Sequence, residues 1–397
     1  MQKIIVVVVA VFLLIGSTVL FFQGKGTGGG TIKIVSSVPM RGMSAGQGLY
    51  NGAKLAFEEV GNKAGNFDIQ FIAKDDGNSL GEWQAEDEKS NALSAVKDPD
   101  VMVYMGPSDN SAAKISIPIT NVNGLAQLSV TNTWPGLTQS GYAPGEPAIF
   151  YPTGKRNYFR TSPTDAIQGP AGAVWAKEMG VKNIYIVESS DAFDIGVANL
   201  FEKKAQELSL KIVAHQSITS TDSDSIEKNI TDIQKLKPDL IYYAGATAGG
   251  IIPLLKGLHQ KGTHPKIMAS AGLFENVFLD SAGEYADGVF VTAPGVATAE
   301  KLIKENEITQ RYKEKFGVDA DTYALASYEA GKVIIAAIER AGKKDRAVIL
   351  QEIANTQNYD GIFGKWSFDE NGDTTLTSIS GRVVEDNTFK FVKKLNQ

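Results

Sequence analysis

The sequence predicts an α/β protein built on parallel, doubly wound sheets, and two observations predict it. Short runs of β-branched and aromatic residues alternate with helical patterns of about a dozen residues, the mark of strand–helix–strand units. The alternation runs from residue 32 to 138, breaks over 141–156, and restarts after 158. The chain therefore reads as two α/β units, followed by helices and a β tail. At 397 residues it is long enough for two domains.

The elements follow in order. Residues 32–38 form a first strand of alternating and β-branched residues, and the turn 39–46 leads into a helix over 47–60. Leu49, Ala53, Ala56, Phe57 and Val60 share one face of that helix. A strand at 68–74 ends in Asp75-Asp76-Gly77-Asn78. A helix at 83–96 and strands at 101–105 and 125–130 complete the first unit. Residues 141–156, rich in Gly, Pro and Tyr, read as a surface loop. The second unit takes a helix at 171–179, then strands at 183–188, 211–216, 240–244, 266–269 and 288–292, with helices at 196–208, 225–236 and 249–261 between them. Helical patterns follow at 300–316, 322–341 and 346–355, and the tail is β in character.

Composition narrows the function. The formal net charge of -6 argues against nucleic acid as a partner. Cysteine is absent, which excludes disulfides, thiolate metal sites, cysteine nucleophiles and cysteine-linked lipid anchors. Residues 4–22 are nearly all apolar and follow Lys3. They suit either a signal-peptide core or a short membrane anchor. Residues 24–30 read as a Gly-rich linker, so residues 1–30 form an export segment. One soluble body is exported, either tethered by residues 4–22 or released from them.

Two polar turns stand out. The strand at 101–105 stops at Gly106-Pro107, and Ser108, Asp109, Asn110 and Ser111 follow before a helix. The strand at 125–130 is followed by Thr131, Asn132 and Thr133. Ligands of open α/β sheets bind beyond the carboxyl ends of strands, and a helix N-terminus offers free N–H groups to an anion. These turns are therefore expected to hold a carboxylate. The same residue types are also ordinary helix caps.

Several segments taken in order resemble one family. They are the turn 39–42 with Gly52-Ala53 on the next helix, Asp75-Asp76-Gly77, GPSDNSAA with SVTNTWPGLT, YFRTSPTDAIQGP, IYYAGATAGG, YADGVFVTAP and FGKWSFDENGD. Together they resemble the Leu/Ile/Val-binding group of type I periplasmic binding proteins, from residue 32 to the C-terminus. The resemblance implies two Rossmann-like lobes with parallel sheets, joined by a three-crossing hinge, with the ligand between them. Lobe one would be 31–162 plus 294–363, and lobe two 163–293 plus 364–397. The family's carboxylate-binding serine falls at Asn110. Its small residue and threonine at the next strand end fall at Thr131 and Thr133. An aromatic residue facing the ligand falls at Phe193, a second near Ala246–Thr247, and the glutamate that pairs with the ligand ammonium at Ala271. A buried ammonium without a counter-charge is costly. Either Asp109, Asp191 or Glu275 substitutes, or the ligand is not an ordinary α-amino acid.

Other motifs carry less. Ser111-Ala-Ala-Lys114 and Ser108-Asp109-Asn110 match fragments of penicillin-binding enzymes, but they abut and the K-T-G partner is missing. Gly24, Gly26 and Gly29 match a dinucleotide fingerprint, yet precede the first strand. Asp369–Asp373 lacks the spaced ligands of a calcium loop and reads as a hairpin turn. His215, His259 and His264 show no metal spacing, and no catalytic constellation emerges. The expectation is a non-enzymatic extracytoplasmic receptor without cofactor or metal. It captures an amino acid of branched-chain type or a related small carboxylate for an ABC importer and its permease subunits. The alternative is a membrane-tethered sensor of the same fold.

Overall fold

Strands flanked by helices on both faces become continuous apolar runs, and Val101–Met105 is buried at every position. The computed structural model describes residues 29–41, 46–189, 192–219, 222–294 and 299–395. The first unit contains β1 (Thr31–Val38), α1 (Gly46–Glu59), β2 (Lys63–Ala64), β3 (Phe67–Asp75), α2 (Ala85–Lys97), β4 (Val101–Met105), α3 (Asn110–Val122), β5 (Ala126–Ser129) and β6 (Tyr158–Arg160). Its sheet runs β2-β3-β1-β4-β5-β6 and is parallel except for the β2–β3 hairpin.

The second unit begins with α4 (Asp165–Glu178), β7 (Asn183–Ser189), α5 (Ala192–Glu207), β8 (Lys211–Ile218), α6 (Ser223–Leu236) and β9 (Leu240–Ala244). It continues through α7 (Ile251–Gln260), β10 (Lys266–Ala269), α8 (Asn276–Ala282) and β11 (Phe290–Pro294). Helices α9 (Ala299–Phe316), α10 (Thr322–Ala341) and α11 (Arg346–Ala354) follow. The short pair β12 (Tyr359–Asp360) and β13 (Lys365–Trp366) and the long pair β14 (Ile379–Glu385) and β15 (Thr388–Leu395) end the chain. The second sheet runs β15-β14-β11-β10-β9-β7-β8, with β14 and β15 antiparallel. The protein is thus an α/β fold with two mostly parallel mixed sheets.

The late helices return to the first sheet. Ala330, Val333, Ile334 and Ile338 of α10 share a core with Ile34, Ala53 and Phe57. Glycine makes the approach of α10 to α1 possible: a β-carbon on Gly52 would lie 2.0 Å from the Ala324 carbonyl oxygen. Trp366, Phe368 and Leu376 belong to the same core. The Trp366 indole donates to Glu329 Oε1 on α10 at 2.6 Å. Residues 364–376, expected with the second unit, therefore pack with the first, and the last passage between units falls between Leu376 and Ile379.

Other expectations shift locally. The helix expected from 171 begins at Asp165 and runs through Pro170, while β6 and α8 fall in stretches to which no strand or helix was assigned. Gly29 and Gly30, expected in a free linker, are fastened to the β2–β3 hairpin: Gly29 N–H donates to Asn66 O at 2.7 Å, and Asp68 N–H to Gly30 O at 3.1 Å. The loop 141–156 lies partly on the surface but is anchored by buried Phe150 and Tyr151. The turn at Asp369–Asp373 closes between bridged Phe368 and Thr374, as expected of a hairpin turn. Among the described residues no helix is long and apolar enough to cross a membrane. Residues 4–22 lie outside them.

Candidate ligand cleft

The carboxyl ends of both sheets open onto one cavity of about 610 Å³. The first sheet contributes the turns after β4, β5 and β6, and the second contributes those after β7, β8, β9 and β10. This volume suits a small organic molecule. Of the residues expected at the site, Ser108, Asp109, Asn110, Thr131 and Thr133 line the first wall, and Thr247, Ala271 and Glu275 the second. Phe193 falls in the first turn of α5, but its side chain lies outside the described residues, as does Asp191.

Asn132 is not on the cavity wall. Its amide donates to Ser108 O at 3.0 Å, and its carbonyl accepts from the Tyr158 hydroxyl at 2.9 Å. It braces the two turns from behind.

The expected free amides are also committed. Asp109 caps α3, and its Oδ1 accepts from Ser111 N–H at 2.6 Å and Ala112 N–H at 3.2 Å. The helix N-terminus thus already holds an anion, which belongs to the chain. Asn110 Oδ1 accepts from the N–H groups of Thr133 and Trp134, both at 3.0 Å. Ser129 Oγ accepts from those of Thr131 and Asn132, and the Thr131 hydroxyl donates to Ser108 O at 2.7 Å. The capping reading holds for Asp109, which also lines the cavity. On this wall Thr161 Oγ1 is buried without a hydrogen-bond partner, and the Thr133 hydroxyl lies beside the Asp165 carboxyl group.

On the second wall Ala271 offers no side-chain charge, and its N–H donates to Gln168 Oε1 at 2.7 Å. Glu275, four positions on, presents a carboxyl group instead. Its Oε1 accepts from the Thr247 hydroxyl at 2.5 Å and from the Thr247 N–H at 3.4 Å. Burial pushes the Glu275 carboxyl up to about 7, against the Thr247 hydrogen bonds that pull it down. Asp165, behind Thr133 and fully buried, is likewise pushed up to about 7 by burial.

Many lining residues were not anticipated as part of the site, Trp83, Tyr323 and Gln168 among them. Trp83, expected on a helix, precedes α2 and is held by a bridge to Gly77. The acidic run Glu86, Asp87 and Glu88 in the first turn of α2 marks the true helix start. Tyr323 reaches the cavity from the start of α10, and Gln168 from α4. No local pattern marks these two, because only the packing of distant segments brings them to the cleft.

Cleft, sheet order and late crossings together describe a two-unit binding fold. The family profile described as "Periplasmic binding protein" matches residues 31–385. The chain belongs to the periplasmic binding protein family. It is a non-enzymatic solute-binding protein with the type I fold, and family membership implies a place outside the cytoplasm. It is similar to the leucine-, isoleucine-, valine-, threonine- and alanine-binding protein of Pseudomonas aeruginosa, 26% identical over 356 residues, covering 86% of this chain and 87% of that one. Among solved structures, a leucine-binding protein from Thermotoga maritima superposes with a TM-score of 0.79 at 25% identity, covering 92% of this chain and 99% of that one. A solute-binding protein from R. palustris in complex with benzoate shares the fold, with a TM-score of 0.77 at 18% identity, over 92% of this chain and 96% of that one.

Proposed function

We propose that this periplasmic binding protein captures an amino acid, or a related small carboxylate, between two lobes and delivers it to the permease subunits of an ABC importer. The observation that carries this reading is one cavity walled by the strand-end turns of both sheets. Lobe one comprises 31–162 and 294–363, extended to Leu376 by its core packing. Lobe two comprises 163–293 and the remaining tail. Ligand first meets Ser108, Asn110, Thr131 and Thr133, and Thr247, Ala271 and Glu275 then close over it, excluding water. Phe193 packs against the ligand's apolar part. Residues 4–22 act as a signal or membrane anchor. The P. aeruginosa relative is named for aliphatic amino acids and the R. palustris structure holds benzoate. Both are small carboxylates, which supports the class.

A thermal-shift screen of amino acids and small organic acids on the chain from Gly29 onward tests this. A ligand present at about 100 times its Kd stabilises the folded state by about 2.7 kcal/mol and raises Tm. A screen in which no member raises Tm overturns the reading.

A further inference from the structure

We infer that the cleft takes up a carboxylate ligand together with a proton, and that Asp165, buried behind Thr133, is the positioning residue that holds that proton. The inference rests on the solute-binding reading above and adds what the bound state needs besides the ligand.

The backbone of Thr133 is committed on both sides. Its N–H donates to Asn110 Oδ1 at 3.0 Å, and its carbonyl accepts from the Asp165 N–H at 3.0 Å. The second bond sets the start of α4 directly against the cleft wall. Thr133 lines the cavity, and its hydroxyl meets the Asp165 carboxyl group behind that wall. A hydroxyl carries one proton and two lone pairs. It cannot donate to two carboxylates at once.

Asp165 is 0% exposed. Its Oδ1 accepts from Gln168 Nε2 at 3.4 Å. The charged and titratable groups around it are Arg160 from β6, Tyr142 from the 141–156 loop, Tyr242 from β9 and Asp194 from α5. Arg160 forms its ion pair with Asp373 and donates also to Trp134 O and Thr138. Burial therefore outweighs the pull of Thr133, Arg160 and Gln168, and pushes the Asp165 carboxyl up to about 7.

The two protonation states turn Thr133 opposite ways. Ionised Asp165 takes the Thr133 proton, and the cavity is offered a lone pair. Protonated Asp165 donates to the hydroxyl, and Thr133 turns its own proton to the cavity, where a ligand carboxylate accepts it. An anion in the cleft also disfavours a second negative charge behind the wall. Ligand and proton thus favour each other's binding, and the favour is reciprocal. Gln168 carries the arrangement to the opposite wall, where its Oε1 accepts from the Ala271 N–H at 2.7 Å and from the Thr292 hydroxyl at 3.1 Å. The liganded protein keeps the Asp165 proton at a pH where the free protein loses it. Affinity is therefore full at pH 6 and falls as pH rises.

Calorimetry with benzoate and L-leucine tests the inference. Either probe serves, since both carry a carboxylate that stays ionised from pH 6 to pH 8. Kd is expected to rise about tenfold over that interval, with uptake of more than about half a proton per ligand at pH 7.5, read by comparing two buffers of different ionisation heat. These measurements need no variant. Asp165→Asn puts an amide donor behind Thr133 at every pH. It should bind at pH 8 as tightly as the parent does at pH 6, with a flat profile, whereas Glu275→Gln should keep the slope. A cooperative thermal transition verifies that each variant folds. A flat profile or an affinity that rises with pH in the parent, a slope that persists in Asp165→Asn, or a slope lost in Glu275→Gln overturns the inference while the solute-binding reading stands. Failure of both probes to bind at pH 6 overturns it too, and the solute-binding reading falls only if the wider screen is also silent.

Discussion

Trp134, just after β5, lies so close over Gly196 on α5 that a methyl group on the glycine would stand 2.6 Å from the indole. This joins the first unit to the second at the edge of the cleft. The indole is held in place. Its N–H donates to Glu146 Oε2 at 2.7 Å, and Lys114 sits 5.3 Å from the ring centre while pairing with Glu146 at 2.9 Å. The loop 141–156 thus supplies, through Glu146, the clamp that aims Trp134 at α5.

Gly196→Ala is therefore expected to prop the two units apart. The helix itself gains about 1 kcal/mol of propensity from the change, so the fold should survive. Ligand affinity should fall by about tenfold, equivalent to about 1.4 kcal/mol, and small-angle scattering should show a larger radius of gyration. Unchanged affinity together with unchanged scattering would show that this contact does not govern closure.

Thr133 presents a buried hydroxyl on the cleft wall, beside the Asp165 carboxyl group. A ligand oxygen is its natural partner, so Thr133→Ala should weaken binding by about 1–3 kcal/mol, the cost of leaving a buried polar group unpaired. Titration calorimetry reads this directly. A variant that binds as tightly as the parent would remove Thr133 from the site.

Arg160 and Asp373 form a buried ion pair at 2.7 Å, with their side chains 0% and 4% exposed. Asp373 comes from the 369–373 turn, and its other oxygen accepts from Thr138 and Gln139. Arg160 Nη1 also donates to Trp134 O at 2.6 Å. Removing one partner strands the other charge, so Asp373→Ala should cost about 3–5 kcal/mol in urea unfolding. A loss below about 1 kcal/mol, the usual worth of a surface pair, would refute a structural role.

Stability should fall as pH rises. Burial pushes Asp76, Asp165 and Glu275 up to about 7, and holds Glu88 well above the carboxylate range. Asp76 faces Glu88 and feels the charges of Asp75 and Asp109, Glu88 faces Tyr104, Asp165 lies near Arg160, and Glu275 feels Asp321. Each group binds its proton more tightly in the folded chain than in the unfolded one. The stability they contribute is complete below about pH 4, and that of Asp76, Asp165 and Glu275 is lost as pH climbs through about 7. His215, raised by its hydrogen bonds to Glu188 and Glu202, acts in the same direction. Tm of the unliganded protein should therefore be higher at pH 5 than at pH 8, and Asp76→Asn should flatten the difference. A Tm that rises over this interval would contradict the prediction.

Much of the fold was legible locally. Residues 101–105 and 322–341 form the strand and the helix that their apolar patterns predict, to the residue. Pro170 misled, because its missing N–H suggests a helix start, whereas Thr164 and Asp165 open the helix a turn and a half earlier. The turns at Ser108 and Thr131 were found as cleft residues because strand ends are marked in the sequence. Their internal hydrogen bonds were not, since Asn110 meets Thr133 and Trp134 only after β4 and β5 pair. Tyr323 and Glu275 are brought to one cavity by tertiary packing alone. No periodicity encodes such a meeting.

The fastening of Gly29 and Gly30 to the β2–β3 hairpin has a practical consequence. The eight residues of β1 run from that point toward the cleft, a span of about 26 Å at the usual rise per residue. Any leash, fluorophore or surface linkage joined ahead of Gly29 departs from the end of the sheet opposite the opening. The point of attachment then lies at the far end of β1 from the opening, clear of the residues that line the cavity.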